Sequence, residues 1–163
     1  MLPSRRGRRW WPETVLLLAV SIMAAWVVNV GRPEPLPWRG DFKARKVEDV
    51  VRKGFAVVAP DEARALLMKR SHLFVDARDP AEFAEGHIPG ALLVPEEAML
   101  TGLEAAVAGL DKAAPMVVYC GNLACPKSKD LAKALEQIGF TAVSVMPEGF
   151  EGWKAVGGPV EVR

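Results

Sequence analysis

The first hydrophobic feature of the chain is an uncharged run over residues 14–31, TVLLLAVSIMAAWVVNVG, bounded by Glu13 and Arg32. At a rise of 1.5 Å per residue, a helix over this run would be about 27 Å long, close to the ~30 Å hydrocarbon thickness of a bilayer. Trp10 and Trp11 precede the run, where aromatic side chains anchor a span at the interface. The pattern predicts one N-terminal transmembrane helix.

Beyond residue 55, short apolar runs alternate with stretches of helical periodicity. The apolar runs predict strands at 56–59, 72–77, 91–95, 116–120 and 142–146, and the helical stretches lie at 60–70, 80–87, 96–110, 128–139 and 149–157. This alternation predicts an α/β fold in which a central parallel sheet is flanked by helices. Reactive groups in such sheets lie at the carboxyl ends of the strands.

Prolines separate the apolar run from the alternating region. The stretch GRPEPLPWRGD, residues 31–41, has prolines at alternate positions and predicts an extended, semi-rigid spacer. The charged stretch 42–54 after it is interpreted as a solvated flank. The predicted organisation is therefore a basic tail at 1–13, a transmembrane helix or signal anchor at 14–31, a linker at 32–55 and a domain at 56–163.

The distribution of charge predicts the orientation of the transmembrane helix but says little about the class of the domain. The formal net charge is +1, which gives no electrostatic case for nucleic acid as a partner. The basic tail contains four arginines: Arg5, Arg6, Arg8 and Arg9. Since such a tail resists translocation, we expect a single-pass protein of a bacterial inner membrane with its domain in the periplasm. Opposing basic residues follow the span at Arg32, Arg39, Lys43, Arg45 and Lys46. No clean A-x-A site interrupts the run, which favours a retained anchor over a cleaved signal.

Both cysteines of the chain lie in the stretch VVYCGNLACPKS, between a predicted strand and a predicted helix. A loop of this kind can turn backbone N–H groups toward Cys120, and a helix N-terminus adds partial positive charge, so the thiol pKa would fall. Lys127 and Lys129 add nearby charge, and Ser128 is a plausible N-cap of the helix. An inert buried cysteine is the alternative.

Three segments, in order along the chain, resemble the signatures of the rhodanese-like domain. The first segment is FVDARDPAEFAEGHIPGALLVP (74–95), which has Asp76 and Arg78 after a strand and then GHIPGA. The second is VVYC with the loop that follows it, which is similar to the family's active-site segment. The third is MPEGFEGWKAVGGPVE (146–161), which resembles the closing signature. The resemblance implies a three-layer, single-domain sulfurtransferase fold. It identifies Cys120 as the catalytic cysteine, whose thiolate would take a sulfane sulfur from a donor such as thiosulfate and pass it to a thiol or cyanide.

The same resemblance implies a set of residues around the persulfide. The expected substrate-binding residues are Gly121, Asn122, Leu123, Ala124, Cys125, Lys127, Ser128 and Arg78. It implies neither a metal ion nor an organic cofactor; the expected partners are a small sulfur donor, a thiol acceptor and the membrane, with any membrane-protein partner unidentified. His87 is expected to hold the GHIPG turn through backbone hydrogen bonds, and Trp153 to pack in the core.

The loop departs from the family pattern in two ways. It is about two residues longer, and it lacks an arginine, so the substrate need not be thiosulfate. Position 126 is proline, which argues against a phosphatase or arsenate reductase, because such sites need an arginine there to grip the oxyanion. Cys125 is the second departure; it could form a disulfide with Cys120, resolve or relay the persulfide, or be incidental. A carrier or docking module without turnover, and a thiol–disulfide redox protein, stay open as alternatives.

Overall fold

The computed structural model describes residues 11–32, 42–52 and 54–162. The basic tail through residue 10 and most of the proline-rich spacer lie outside the described residues, as do the side chains of Lys43, Arg45 and Lys46. The chain divides into two compact units, Met1–Gly40 and Asp41–Arg163.

Among its described residues, 11–32, the first unit contains one helix, α1, at Trp11–Val30. It is 20 residues long, an 18-residue window within it has a mean hydropathy of 1.9, and none of its residues is buried within the protein. By length and composition it is able to cross a membrane, and a signal sequence near an N-terminus would satisfy the same test. The helix begins three residues before the predicted run because Glu13 is accommodated in its first turn.

The second unit is an α/β domain around a parallel sheet. Its strands are β1 (Ala56–Val57), β2 (Leu73–Asp76), β3 (Leu92–Leu93), β4 (Met116–Tyr119) and β5 (Val143–Met146), and they lie in the order β1-β5-β4-β2-β3 with every pair parallel. Its helices are α2 (Phe42–Arg52), α3 (Pro60–Lys69), α4 (Pro80–Glu85), α5 (Glu96–Thr101), α6 (Leu103–Ala106), α7 (Lys127–Gln137) and α8 (Gly149–Ala155). The predicted fold class is confirmed.

Apolar clusters cover both faces of the sheet. Successive strand residues point to opposite faces, so Val75 and Val118 join one cluster while Phe74 and Val117 join the other. Every residue of β4 is buried, as expected for the middle strand of a sheet covered on both sides. Trp153 of α8 is fully buried beside Phe74, as the sequence predicts.

The structure differs from the sequence-based interpretation in one predicted helix and in the range interpreted as a solvated flank. The stretch predicted as one helix at 96–110 is two helices, α5 and α6, because the chain leaves the helical conformation at Gly102. The range assigned to a linker and solvated flank contains α2, whose Val50 is 2 % exposed and packs in the core cluster. The apolar residues of α2 recur with helical spacing, but the helix is rich in charged residues, and this charge led the sequence analysis to interpret the stretch as a solvated flank.

Candidate active site

Cys120 lies directly after β4, at the carboxyl edge of the sheet. The register pairs Tyr119 with Asp76 of β2 and with Met146 of β5, so three strands end at the same level. The segments that leave these strands therefore meet around Cys120. This edge is where parallel α/β sheets bind their ligands.

The loop between Cys120 and α7 is folded on itself. The amide of Ala124 donates to Asn122 Oδ1 (3.0 Å), and the amide of Cys125 donates to the Asn122 carbonyl (3.1 Å). Within the described parts of the chain, the amides of Gly121, Asn122 and Leu123 donate to no protein acceptor. These N–H groups are available to an anion held at the loop.

The start of α7 differs from the predicted one. The helix begins at Lys127 with Pro126 as its N-cap, and no side chain caps it. Ser128 is buried in the first turn instead of capping the helix. Proline fixes φ and lacks the amide donor, so it suits the residue at which a helix begins, and the serine two residues later was a misleading N-cap signal.

Cys120 and Cys125 form a disulfide in this structure. Their Cα atoms are 6.3 Å apart, within the range that a disulfide spans. Cys120 is 4 % exposed, and Cys125 is partly buried against the core cluster around Val118. In this state neither sulfur is a thiolate, so the structure represents the oxidised form of the loop.

The turn between β5 and α8 holds the other side of the loop. The amide of Phe150 donates to the Cys120 carbonyl (2.7 Å), and the amide of Glu151 donates to the Gly121 carbonyl (2.9 Å). Gly149 has φ +62°, and a Cβ at this position would lie 2.5 Å from the Cys120 carbonyl oxygen. Only glycine fits here, a role that sequence reasoning missed although PEGFEGW lies in a recognised signature.

A buried ion pair forms the neighbouring wall of the site. Arg78 Nη2 lies 2.7 Å from Asp76 Oδ2 and also donates to the Gly86 carbonyl (2.7 Å). Burial lowers the pKa of Arg78, but the hydrogen bonds to Asp76 and its charge outweigh this and raise the pKa. Burial, and next the charge of Asp76, raise the pKa of Tyr119, whose hydroxyl accepts from the Ile88 amide. The wall therefore carries a fixed guanidinium and a neutral phenol.

A cavity of about 300 Å³ opens beside this wall and the first loop residues. Its lining includes Arg78, Glu82, Gly121, Asn122, Phe150 and Lys154. Among the residues that the structure describes, the lining includes Gly121 but not Cys120. In the oxidised form, the cavity is therefore lined by the loop residues that follow Cys120, Gly121 and Asn122.

The loop residues predicted to bind substrate are distributed over two sides of this edge. Asn122, Leu123 and Ala124 also line a shallower depression against α8, together with Glu151. Lys127 contacts Asp79 of the α4 N-terminus (2.9 Å) and Glu96 of α5 (3.5 Å), and the hydrogen bond that it donates to Asp79 raises the pKa of Lys127. Lys127 is consequently tied to carboxylates. The substrate-binding role of all these residues stays a prediction.

Among the described residues, the contacts of His87 are ones that hold the turn after α4 in place. Its Nδ1–H donates to the Phe83 carbonyl (2.9 Å), and its ring stacks on Phe83 at 3.7 Å between ring centroids. Its backbone exchanges two hydrogen bonds with Glu161. These contacts join the turn after α4 to the C-terminal segment, in keeping with the role expected for GHIPG.

Comparison with known proteins agrees with this geometry. A family model described as "Rhodanese-like domain" matches residues 59–156. The chain is 36 % identical over 104 residues to the thiosulfate sulfurtransferase GlpE of Pseudomonas aeruginosa (strain LESB58), covering 63 % of this chain and 86 % of that protein. It is 37 % identical over 102 residues to the protein of the same name from Pseudomonas fluorescens (strain Pf0-1), covering 61 % and 85 % respectively.

Solved structures give the same result for the fold. The crystal structure of the Alr3790 protein from Anabaena sp. matches with a TM-score of 0.58 at 27 % identity, over 65 % of this chain and 82 % of that one. The BH2092 protein from Bacillus halodurans matches with a TM-score of 0.61 at 24 % identity, over 74 % and 86 %. Since the family model spans more than half of the sequence and the three signatures coincide with the walls of one site, this chain belongs to the family of rhodanese-like domains.

Proposed function

We propose that this chain is a membrane-tethered sulfurtransferase that carries a sulfane sulfur as a persulfide on Cys120. The reduced thiolate of Cys120 attacks the outer sulfur of a donor such as thiosulfate, and sulfite leaves with the electron pair of the S–S bond. An acceptor, which is a thiol or cyanide, then removes the sulfur and restores the thiolate. This cycle requires no metal ion or organic cofactor.

The observation that carries the proposal is the position of Cys120 at the carboxyl end of the middle strand, ahead of a loop with unused amides. A persulfide anion needs N–H donors around it, and the amides of Gly121, Asn122 and Leu123 are candidates. The N-terminus of α7 adds partial positive charge at the end of the same loop. Both effects favour the thiolate over the thiol.

Thiosulfate is proposed as a donor because the relatives at 36–37 % identity are named thiosulfate sulfurtransferases. The loop gives a reason to test other donors as well. It has no arginine, and its Lys127 is bound to Asp79 and Glu96. Arg78 and Lys154 are the cations at the adjacent cavity, where Glu82, Glu85 and Glu151 oppose them. A small dianion would therefore be held mainly by backbone amides.

We also propose that α1 remains attached and tethers the domain to a bacterial inner membrane. The helix is long and apolar enough to span, and the four arginines before it would stay in the cytoplasm. The domain would then lie in the periplasm. In such an oxidising compartment the bridge between Cys120 and Cys125 can form and persist.

A turnover assay in two redox states tests the proposed function. The full-length chain in detergent is reduced, desalted without oxygen and supplied with thiosulfate and an excess of cyanide, and initial rates are measured before the loop disulfide re-forms; we expect release of sulfite and thiocyanate. The same chain with its disulfide intact is expected to release neither, because it has no thiolate, and to recover when a reductant is added. Absence of release by the reduced chain with every small donor would contradict the proposal, as would equal rates in both states.

Thiol–disulfide exchange without sulfur transfer is the second candidate function. The observed disulfide between Cys120 and Cys125 favours it. It predicts that the reduced chain exchanges reversibly with external disulfides and releases no sulfite from thiosulfate. A carrier module differs from both, because it would accept one sulfur and release it only to a dedicated protein.

A further inference from the structure

We propose that Cys125 is a resolving cysteine that attacks the Cys120 persulfide, releases its sulfur as sulfide and makes the chain a dithiol-dependent, sulfide-producing reductase. This inference rests on the proposed function, because it needs the persulfide on Cys120. It adds a second, reductive route for the same sulfur. The third participant is a dithiol, which reopens the disulfide.

The structure contains the product of the resolving step. The sulfur atoms of Cys120 and Cys125 are bonded while the hydrogen bonds of the loop are in place. The Asn122 turn brings Cys125 back toward Cys120, and Phe150 and Glu151 still hold the carbonyls of Cys120 and Gly121. The bridge therefore forms within the folded loop, and resolution needs no unfolding of the site.

The step balances in atoms and electrons. The Cys125 thiolate attacks Sγ of Cys120, the Sγ–Sγ bond forms, and the bond between Sγ of Cys120 and the outer sulfur breaks. The outer sulfur takes the electron pair and leaves as hydrosulfide, so the sulfane sulfur is reduced while the two cysteines are oxidised to a disulfide. With thiosulfate as donor and one dithiol to reopen the bridge, the sum is thiosulfate plus dithiol giving sulfite, hydrogen sulfide and the dithiol's own disulfide.

The observed bond joins the Sγ atoms of Cys120 and Cys125, and this favours attack on the inner sulfur of the persulfide over transfer of the outer sulfur to Cys125. Attack on the outer sulfur would move the persulfide to Cys125 and leave no bridge between the two Sγ atoms. The structure has that bridge, and Cys120 at 4 % exposure is buried while Cys125 contacts it from the loop. A buried inner sulfur is reached more easily by a neighbour in the same loop than by an external thiol.

A dithiol is the class of reductant best suited to reducing this bridge, because Cys120 is buried and the loop around Cys125 has exposed residues. Ala124 and Pro126, on either side of Cys125, are exposed. Cys125 is itself partly buried, but it is the less buried cysteine of the bridge, since Cys120 is 4 % exposed. An external thiolate is therefore expected to attack Sγ of Cys125, form a mixed disulfide there and release Cys120 as a thiolate. The second thiol of a dithiol then frees Cys125 intramolecularly, a step that a monothiol has to make in a second encounter.

A single-turnover experiment without reductant tests this route. The reduced full-length chain in detergent is mixed with excess thiosulfate, and sulfite, sulfide and the peptides containing positions 120 and 125 are quantified over time. We expect about one sulfite and about one sulfide per chain, with the disulfide formed as sulfide appears. The Cys125→Ser chain is expected to release sulfite but no sulfide and to keep one extra sulfur on Cys120.

The outcomes separate this inference from the proposed function. Sulfite without sulfide in the wild type, with sulfur retained on Cys120 or moved to Cys125, overturns the resolving role and leaves sulfur transfer standing. Equal sulfide release by Cys125→Ser also overturns it. Absence of sulfite from wild type and variant overturns the proposed function itself. Under turnover, dithiothreitol should support sulfide production at a concentration where 2-mercaptoethanol at equal thiol content does not; equal support would contradict the need for a dithiol.

Discussion

Replacing Cys120 with serine is expected to abolish sulfur transfer. A serine hydroxyl is not ionised at neutral pH and cannot hold a sulfane sulfur, so no persulfide forms. Loss of a covalent nucleophile lowers turnover by about three orders of magnitude or more. The measurement is the rate of sulfite release from thiosulfate by the reduced full-length chain with cyanide as acceptor.

The control for this substitution is the reduced wild type, because Cys120→Ser also removes the disulfide. Closing so short a loop stabilises an oxidised chain by about 2 kcal/mol in the chain-entropy account, so oxidised wild type is not a matched reference. Cys125→Ser removes the same bridge and is expected to keep at least part of the cyanide-dependent turnover. Equal activity of wild type, Cys120→Ser and Cys125→Ser would remove the proposed site.

Replacing Gly149 with alanine is expected to destabilise the domain and to disable the loop together. The positive φ costs an alanine about 1–2 kcal/mol. The new Cβ would lie 2.5 Å from the Cys120 carbonyl oxygen and 2.8 Å from the Gly121 carbonyl carbon, so backbone has to move. That movement would lengthen or break the hydrogen bonds donated by the amides of Phe150 and Glu151, each of which contributes about 1 kcal/mol to the free energy of unfolding.

Gly157→Ala is the matched control for this substitution. Gly157 has φ +66° at the other end of the same helix, and a Cβ there meets nothing within 4 Å. Denaturant unfolding should therefore show the conformational cost alone for Gly157→Ala and at least twice that loss for Gly149→Ala. Only Gly149→Ala should lose sulfur transfer at a temperature where both variants are folded. Equal stability losses with unchanged turnover would show that Gly149 does not hold the loop.

The parts of the fold that sequence predicted best are those governed by local pattern. The run MVVYC has no charged residue, and its first four residues become β4, whose residues are all buried. The same run locates Cys120 at a strand end, since a buried strand followed by Gly121 and Asn122 has to leave the sheet there. The apolar run of α1 is equally local and is recovered as one helix.

The parts that sequence missed depend on contacts between distant segments. Gly149 is required because α8 approaches a loop that lies nearly thirty positions earlier, and glycine in a turn does not reveal its neighbour. Lys127 suggested a free cation, but its partners Asp79 and Glu96 come from α4 and α5. The spacing of Cys120 and Cys125 permitted a bridge without requiring one, because the loop conformation set by Asn122 decides their separation.

The position at which the sulfur is bound distinguishes a persulfide on Cys120 from every alternative. The reduced full-length Cys125→Ser chain is treated with thiosulfate, alkylated and digested, and the mass of the peptide that contains position 120 is measured by mass spectrometry. We predict a mass gain of one sulfur atom on Cys120, which cyanide removes as thiocyanate. A Cys120 that is alkylated as an ordinary thiol, with no added sulfur from thiosulfate or from any other small sulfane donor, would contradict it.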